Sequence, residues 1–402
     1  MQENKKDISI FIFRNDLRLQ DNIGLIEALK NSKKVIPIYL LENLDLFNLK
    51  NYNKQQFIIE TLIDLDKELT KSRSRLFVIK NISELIKIIK KNNIDSIFLN
   101  RLYHPKHILQ EKKLSDFCKK QDMEFNIYND FLLNEPSESK KVYKVYTPFL
   151  RYATKKNVSK SVNSNKKNYV PKNFIKSNID ISKLLKNKNE NIHKHGGRTN
   201  GKKILRNLKK YKNYKEIRDY PAIDGTTKLS AYINVGALSI REIYHKIIKL
   251  FSKRHELIRQ LYWREFFYQL YYNMPELFKD VLRKRNIRWT KSKTFFNKWK
   301  KGKTGIPLID AGMKELNETG YMHNRIRMLV SNNLSLKEKV DWRLGEKYFA
   351  KKLTDYDPIL NNGNWQYMVQ VGANTAPFPR ILNPELQLKK FDKDFEYIEK
   401  WD

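Results

Sequence analysis

Five short apolar runs punctuate the first 130 or so residues, and the sequence between them has helical spacing. Ile8 to Phe13, Val35 to Leu41, Arg75 to Ile79, Ile94 to Leu99 and Phe125 to Tyr128 read as buried strands. Asn22 to Lys30, Gln56 to Thr70, Ile82 to Lys91 and Leu109 to Lys120 read as helices between them. Parallel strands need crossover connections of about a dozen residues or more, and helices supply them. The alternation therefore predicts an α/β domain over residues 1–134, with a parallel, Rossmann-like sheet covered on both faces. No glycine-rich phosphate loop or dinucleotide fingerprint accompanies it.

The pattern then changes twice. Residues 135–200 read as a linker, and its Lys-, Asn- and Ser-rich stretch from Lys155 to Asn191 either wraps the surface or is partly disordered. From residue 201 to 402 helical periodicity dominates, and Ile258 to Tyr272 forms one strongly aromatic helix. That half is expected to be all-helical. With 402 residues and 40% hydrophobic composition, the chain can fill the cores of two or three domains.

Charge bears on partners. Eighty Lys and Arg against 44 Asp and Glu leave a formal charge of +36. A compositional drift toward Lys and Asn accounts for part of the excess, yet the surface still attracts polyanions, nucleic acid first. The lone Cys118 excludes an internal disulfide and a cysteine metal cluster, and suits a reducing, cytoplasmic setting. His193, His195 and His323 have no metal-ligand spacing, so no metal is expected. No apolar run approaches the ~18 residues of a membrane span, and MQENKKDISI lacks a secretory signal.

Chemistry concentrates between Thr304 and Gln366. His323, Asn324, Arg325 and Arg327 crowd one helix, where i, i+3 and i+4 spacing aligns Asn324, Arg327 and Met328 and turns Arg325 elsewhere. Two arginines on different faces suit two anions, or simply a solvated basic face. Asp355 and Asp357 flank Tyr356; one can pair with Arg327 and the other accept from a heterocycle N–H, unless both serve structural ion pairs. Asn361-Asn362-Gly363-Asn364 permits tight backbone near a ligand. Upstream, Thr226, Thr227, Lys228, Leu229 and Ser230 precede a helix, where hydroxyls and free N–H groups suit either phosphate binding or plain capping. Trp289, Trp342 and Trp365 are widely spaced and, taken singly, read as core.

Together these segments resemble the photolyase/cryptochrome family across nearly the whole chain. The resemblance rests on FRNDLRLQDN (Phe13 to Asn22), Thr226 to Ser230, YWREFFY (Tyr262 to Tyr268), WKKGKTGIPLIDAGMKELNETGYMHNRIRM, DWRLGE, DYDPILNNGNWQ and RILNPELQLKKFD. It implies an α/β domain linked to a helical domain that binds FAD, active as FADH⁻. By resemblance, Tyr214, Thr226 to Ser230, Arg264, Asn324, Arg327, Asp355, Tyr356, Asp357 and Asn361 line the flavin site, with Asn361 toward N5. Gln260, Trp263, Arg264, Asn324, Arg325, Met328, Tyr367 and Gln387 would meet DNA. Trp365, Trp342 and Trp289 match the proximal, middle and surface members of an electron-hopping chain.

MHNRIRM is similar to enzymes that repair cyclobutane pyrimidine dimers, so the implied activity is light-driven repair by electron transfer, on UV-damaged DNA, by a monomer. A cryptochrome-type photoreceptor, a (6-4) photolyase and a DNA-binding protein that has lost FAD are the alternatives. Several positions depart from the family pattern: Gln260 for a common Glu, Tyr367 for a common Trp, and MVQVGANTAPFPR, with Pro379. The end at YIEKWD falls short of the family's usual length, which predicts exposed apolar surface there. The antenna chromophore is of unspecified type, because the Glu that some relatives use for a folate is replaced near Lys106-His107.

Overall fold

The computed structural model describes residues 6–45, 47–176, 179–185, 188–290 and 292–402. Its first half alternates β1 (Lys6–Phe13), α1 (Ile23–Asn31), β2 (Ser32–Leu40), α2 (Tyr52–Thr70), β3 (Phe77–Ile79), α3 (Ile82–Lys91), β4 (Ser96–Asn100), α4 (Pro105–Lys120) and β5 (Glu124–Tyr128). The five strands form one parallel sheet in the order β3-β2-β1-β4-β5. Asn22, Asn51 and Asn81 start α1, α2 and α3 by accepting backbone N–H bonds at their side chains.

The period-2 pleat gives the sheet two faces with different jobs. Ile10, Ile12, Ile36 and Ile38 point into a core closed by Leu85 and Ile88 of α3 and Leu114 and Cys118 of α4. Phe11, Phe13, Val35 and Tyr39 point the other way, into a core shared with the helical half. Both faces are covered, which is why the central strands are continuously apolar.

The helical half follows α5 (Tyr146–Ala153). It comprises α6 (Arg198–Arg206), α7 (Tyr214–Ile217), α8 (Ser230–Asn234), α9 (Ile240–Leu250), α10 (Glu256–Asn273), α11 (Lys293–Lys301), α12 (Pro307–Thr319), α13 (Asn324–Asn332), α14 (Trp342–Lys352), α15 (Pro358–Met368), α16 (Pro384–Phe391) and α17 (Glu396–Trp401). Between the halves, the linker wraps the α/β surface. Asn168 donates its amide to the carbonyls of Leu29, Ser32 and Lys33, and Val35 bonds across to Asn168 and Val170. At the C-terminal end, Tyr397 of α17 is buried and donates to Glu315 of α12 at 2.5 Å. Leu386 and Phe395 nearby are exposed.

The opening FRNDLRLQDN motif is a joint between the halves. Arg18 pairs with Asp130 at 2.5 Å, and Arg241 of α9 reaches across to Asp130 at 2.7 Å and Asp21 at 3.1 Å. Arg18 also donates to the Gly236 carbonyl, and all four side chains are buried. Glu265 of α10 adds a second joint by accepting the N–H groups of Leu133 and Asn134.

Candidate functional site

The loop before α8 builds one wall. Lys228 has φ +53°, and Leu229 after it is in the right-handed helical region. This succession turns neighbouring N–H groups into one concavity, a shape that suits anions. Among the described residues no acceptor answers the N–H groups of Thr226, Thr227, Lys228 or Leu229. The hydroxyls do not cap α8, so the capping alternative fails. Thr226 meets the Tyr321 hydroxyl at 3.4 Å, and Ser230 donates to Asp355 at 2.7 Å. Lys228 pairs with Asp224 at 2.5 Å.

Asp355 joins this wall to the next. Arg327 holds both its oxygens at 3.2 Å, while its Nε donates to the Met322 carbonyl at 2.7 Å. Arg325, as the helical spacing predicts, faces elsewhere and pairs with Asp219 at 2.8 Å. Asn324 is exposed at the start of α13, with its amide 3.7 Å from the Met328 sulfur.

Asp357 requires a correction. It caps α15 through the N–H groups of Ile359 and Leu360, and it also accepts from Asn234 and from the Tyr268 hydroxyl. Four donors fill a carboxylate, so no acceptor remains for a heterocycle N–H. The Asn-Asn-Gly-Asn run, expected to permit tight backbone near a ligand, lies inside α15. Gly363 is there for packing: a Cβ would stand 2.5 Å from the Phe267 ring. The flanking amides are tied down. Asn361 donates to the Glu346 carboxylate at 2.8 Å and carbonyl at 3.1 Å, and Asn362 accepts from Tyr271. Burial raises the Glu346 carboxyl above its ordinary range, while the Asn361 bond works against that.

On α10, Trp263 stacks on Tyr146 with ring centroids 3.7 Å apart and 6° between planes, and Tyr367 meets it edge-on at 5.7 Å. Gln260 donates to Glu256 at 3.2 Å. Arg264 is not available to DNA, contrary to expectation: its guanidinium is buried between the Phe131 and Tyr268 rings and donates to the Phe131 carbonyl. Gln387 is half-buried on α16, and Tyr214 is buried on α7 with Arg218 over its ring.

The helical half has a second hydrophobic core of its own, away from the sheet, and the three tryptophans share it. Gly345 of α14 lies so close to Trp365 that a Cβ would be 2.2 Å from its ring. Trp342 opens α14 three residues before Gly345 and is buried. Thr290 bridges to Val340, which brings Trp289 to the start of α14. Trp342 and Trp365 are buried, and Trp289 is half-buried at the edge of this core. Trp299, which stood only within a motif, packs 6.3 Å from Trp365.

The comparisons with known proteins settle the ancestry. Residues 9–166 match the family described as DNA photolyase, and residues 257–401 match the FAD binding domain of DNA photolyase. A deoxyribodipyrimidine photo-lyase of Buchnera aphidicola subsp. Acyrthosiphon pisum is 34% identical over 97% of this chain and 86% of its own length. The chain belongs to the DNA photolyase family. Solved photolyases share its fold. One from Sulfolobus tokodaii, described with two FAD molecules, has a TM-score of 0.88 and 36% identity over 98% of this chain and 90% of its own. A class III photolyase from Agrobacterium tumefaciens has a TM-score of 0.92 and 29% identity, covering 100% and 87%. A Synechocystis cryptochrome also matches, with a TM-score of 0.88 and 26% identity over 100% and 89%. The helical half of this photolyase-family chain is accordingly an FAD-binding domain. Among the described residues no helix is long and apolar enough to cross a membrane.

Several residues of this constellation escape sequence reading. Lys54, Tyr146, Asn234 and Glu346 act on it from other parts of the chain, and the first three carry no local signal. Glu346 alone had a clue, in its place within the DWRLGE motif.

Proposed function

We propose that this protein repairs cyclobutane pyrimidine dimers in DNA, driven by light, with residues 1–134, 135–200 and 201–402 as its α/β, linker and catalytic parts. The observation that carries the reading is the Ser230–Asp355–Arg327 constellation beside a loop of unanswered N–H groups. The residues present fit FAD. The loop suits a pyrophosphate, and the buried Asn234 Oδ1, whose amide nitrogen bonds Asp357, has no partner of its own.

In this reading Thr226 to Ser230 hold the pyrophosphate, and Arg327 and Asp355 border the ring system. Tyr356 and Asp357 fix the backbone there. Asn361, oriented by Glu346, faces the ring with its carbonyl oxygen. Bound FAD in its reduced, excited state supplies one electron to the dimer and takes it back after the ring splits. The protein's part is to bind, orient and exclude water. A dimer stacks and pairs poorly, so flipping it out of the duplex costs less than flipping an intact step. Trp263, held by Tyr146, offers its free face to the flipped bases beside Met328, and Gln260 offers a hydrogen-bonding amide. Asn324, Arg325 and Gln387 serve the lesion or its backbone. The +36 charge draws the duplex in, so affinity falls steeply with added salt. The protein works as a monomer in the compartment that holds the DNA.

The test is a repair assay. Photoreduced protein under blue light restores oligothymidylate dimers and leaves a (6-4) substrate untouched. Flavin bound and reduced without repair of either substrate favours the photoreceptor alternative. Repair of the (6-4) substrate alone moves the lesion assignment.

A further inference from the structure

The first turn of α2 in the α/β half grips the end of α14 in the helical half. Asn51 donates its amide to the carbonyls of Ala350 and Leu353, both at 2.8 Å, and Asn53 donates to Lys352 at 2.7 Å. Ala350 and Lys352 are among the last carbonyls of α14, which a helix leaves unanswered at its C-terminus, and Leu353 is the cap residue after them. Lys54, next along α2, extends the grip past the helix end: its ammonium donates to the Tyr356 carbonyl at 2.8 Å and lies 5.4 Å from the Tyr356 ring centroid. Tyr356 is the residue between Asp355 and Asp357. Among the described residues no carboxylate lies within ion-pair distance of Lys54, so one carbonyl answers a group with three donors.

Charged groups from several elements face this point: Glu346 of α14 acts on the Tyr356 hydroxyl, Arg264 of α10 packs on the Tyr268 ring, and Lys106 of α4 lies by His104. Asp355 is matched by Arg327. Asp357 has neutral donors only, from Asn234, Tyr268 and two backbone N–H groups. On the α4 side the nearby rings are His104 and His107. Burial drives His104 down to about 4 and His107 well below its ordinary range, so neither is a cation at neutral pH. Burial also pushes the Tyr356 hydroxyl up, keeping it neutral.

We propose that Lys54 is a positioning residue for the flavin: from the α/β half it holds the Asp355–Tyr356–Asp357 backbone and supplies the cation that offsets Asp357 in the field on the reduced, anionic cofactor. The inference rests on the flavin site proposed above. Burial lowers the Lys54 ammonium to about 8 against the attraction of Asp357 and Asp355. Its charge is therefore lost within a working pH range, whereas an arginine there stays charged. Reduced flavin favours the charged lysine, so reduction weakens as the ammonium is lost.

The test is a spectroelectrochemical titration of the FAD-loaded protein from pH 6.5 to 9.5. The wild type should show an added fall in midpoint potential beginning near pH 8. Lys54→Arg should keep the neutral-pH potential and lose the added fall. Lys54→Met should sit below the wild type at neutral pH and also lack it. Variants whose potentials follow the wild type at every pH overturn the proposal and leave the flavin site standing. Wild type that takes up no FAD overturns the proposed function and this inference with it. Should Lys54→Met fail to fold, the arginine variant decides alone.

Discussion

Two clusters of arginine and aspartate stand in this molecule, built from the same groups and left in opposite states. At the joint between the halves, Arg18 and Asp130 have side-chain exposures of 2% and 1%, and the Asp130 carboxylate is met by both guanidiniums and by the Ile23 N–H. Around Asp355, Arg327 is 25% exposed and Asp355 12%, with a serine hydroxyl and a loop of unanswered N–H groups beside them. The closed cluster holds the structure together. The open one has the unfinished polar arrangement that suits a ligand. Burial and the unanswered N–H groups beside Asp355, not composition, separate the two, because an ion pair on its own perturbs its surroundings in either role.

Breaking the closed cluster should produce the largest effect. Asp130→Ala leaves Arg18 and Arg241 buried without their shared carboxylate, a loss of about 3–5 kcal/mol. Urea unfolding should register it, and flavin affinity of the remaining folded protein should be nearly unchanged. The same carboxyl gives a pH signature. Burial pushes it up, but Arg18 and Arg241 outweigh burial and hold it below its ordinary value. Its stabilising contribution is thus complete above an unfolded pKa of about 4 and fades as pH falls through the lower folded value. Acid titration of the melting temperature should show a loss in the wild type that Asp130→Asn lacks.

Breaking the open cluster should reverse the pattern. Asp355→Asn removes the charge that holds Arg327 and keeps an acceptor for Ser230. A charged hydrogen bond contributes about 1.5–3 kcal/mol, so FAD should bind about 10- to 100-fold more weakly by equilibrium titration. Arg327 is partly exposed and keeps its bond to the Met322 carbonyl, so the melting temperature should move little. Equal losses in stability and flavin affinity would erase the distinction between the clusters.

Gly345→Ala tests whether the second core positions Trp365 as tightly as the glycine contact requires. The added Cβ meets the indole, which must shift, at a cost of about 1–3 kcal/mol. Photoreduction should slow along with the fall in melting temperature.

Periodicity made legible what neighbours in sequence control. The strand and helix alternation of residues 6–128, the aromatic α10 and the opposed faces of Arg325 and Arg327 all follow from side chains a few positions apart. Lys54 bonds a carbonyl 302 residues away, and Arg241 reaches a carboxylate 220 away, so no local pattern announces them. The Asn-Asn-Gly-Asn run misleads for a different reason. Its turn propensity is overridden by the Asp357 cap, by Pro358 at the first helical position and by partners for all three asparagine side chains. Arg264 likewise reads as a nucleic-acid contact from its motif, and only the aromatic faces of Phe131 and Tyr268 remove it from the surface.

The smallest structural change carries the sharpest functional split. Trp289 is half-exposed and touches the second core from its edge, so Trp289→Phe should alter stability by under about 0.5 kcal/mol. If electrons enter along Trp289, Trp342 and Trp365, removing the outermost indole slows light-driven reduction of oxidised flavin, because phenylalanine is far harder to oxidise. Repair by protein reduced beforehand uses no electron from outside and should keep its wild-type rate. Transient absorption and a dimer repair assay on one preparation separate the two. Equal slowing of both would place Trp289 in the repair step itself, and slowing of neither would move the entry point to another surface of the same core, with Trp299, 6.3 Å from Trp365, the first residue to replace.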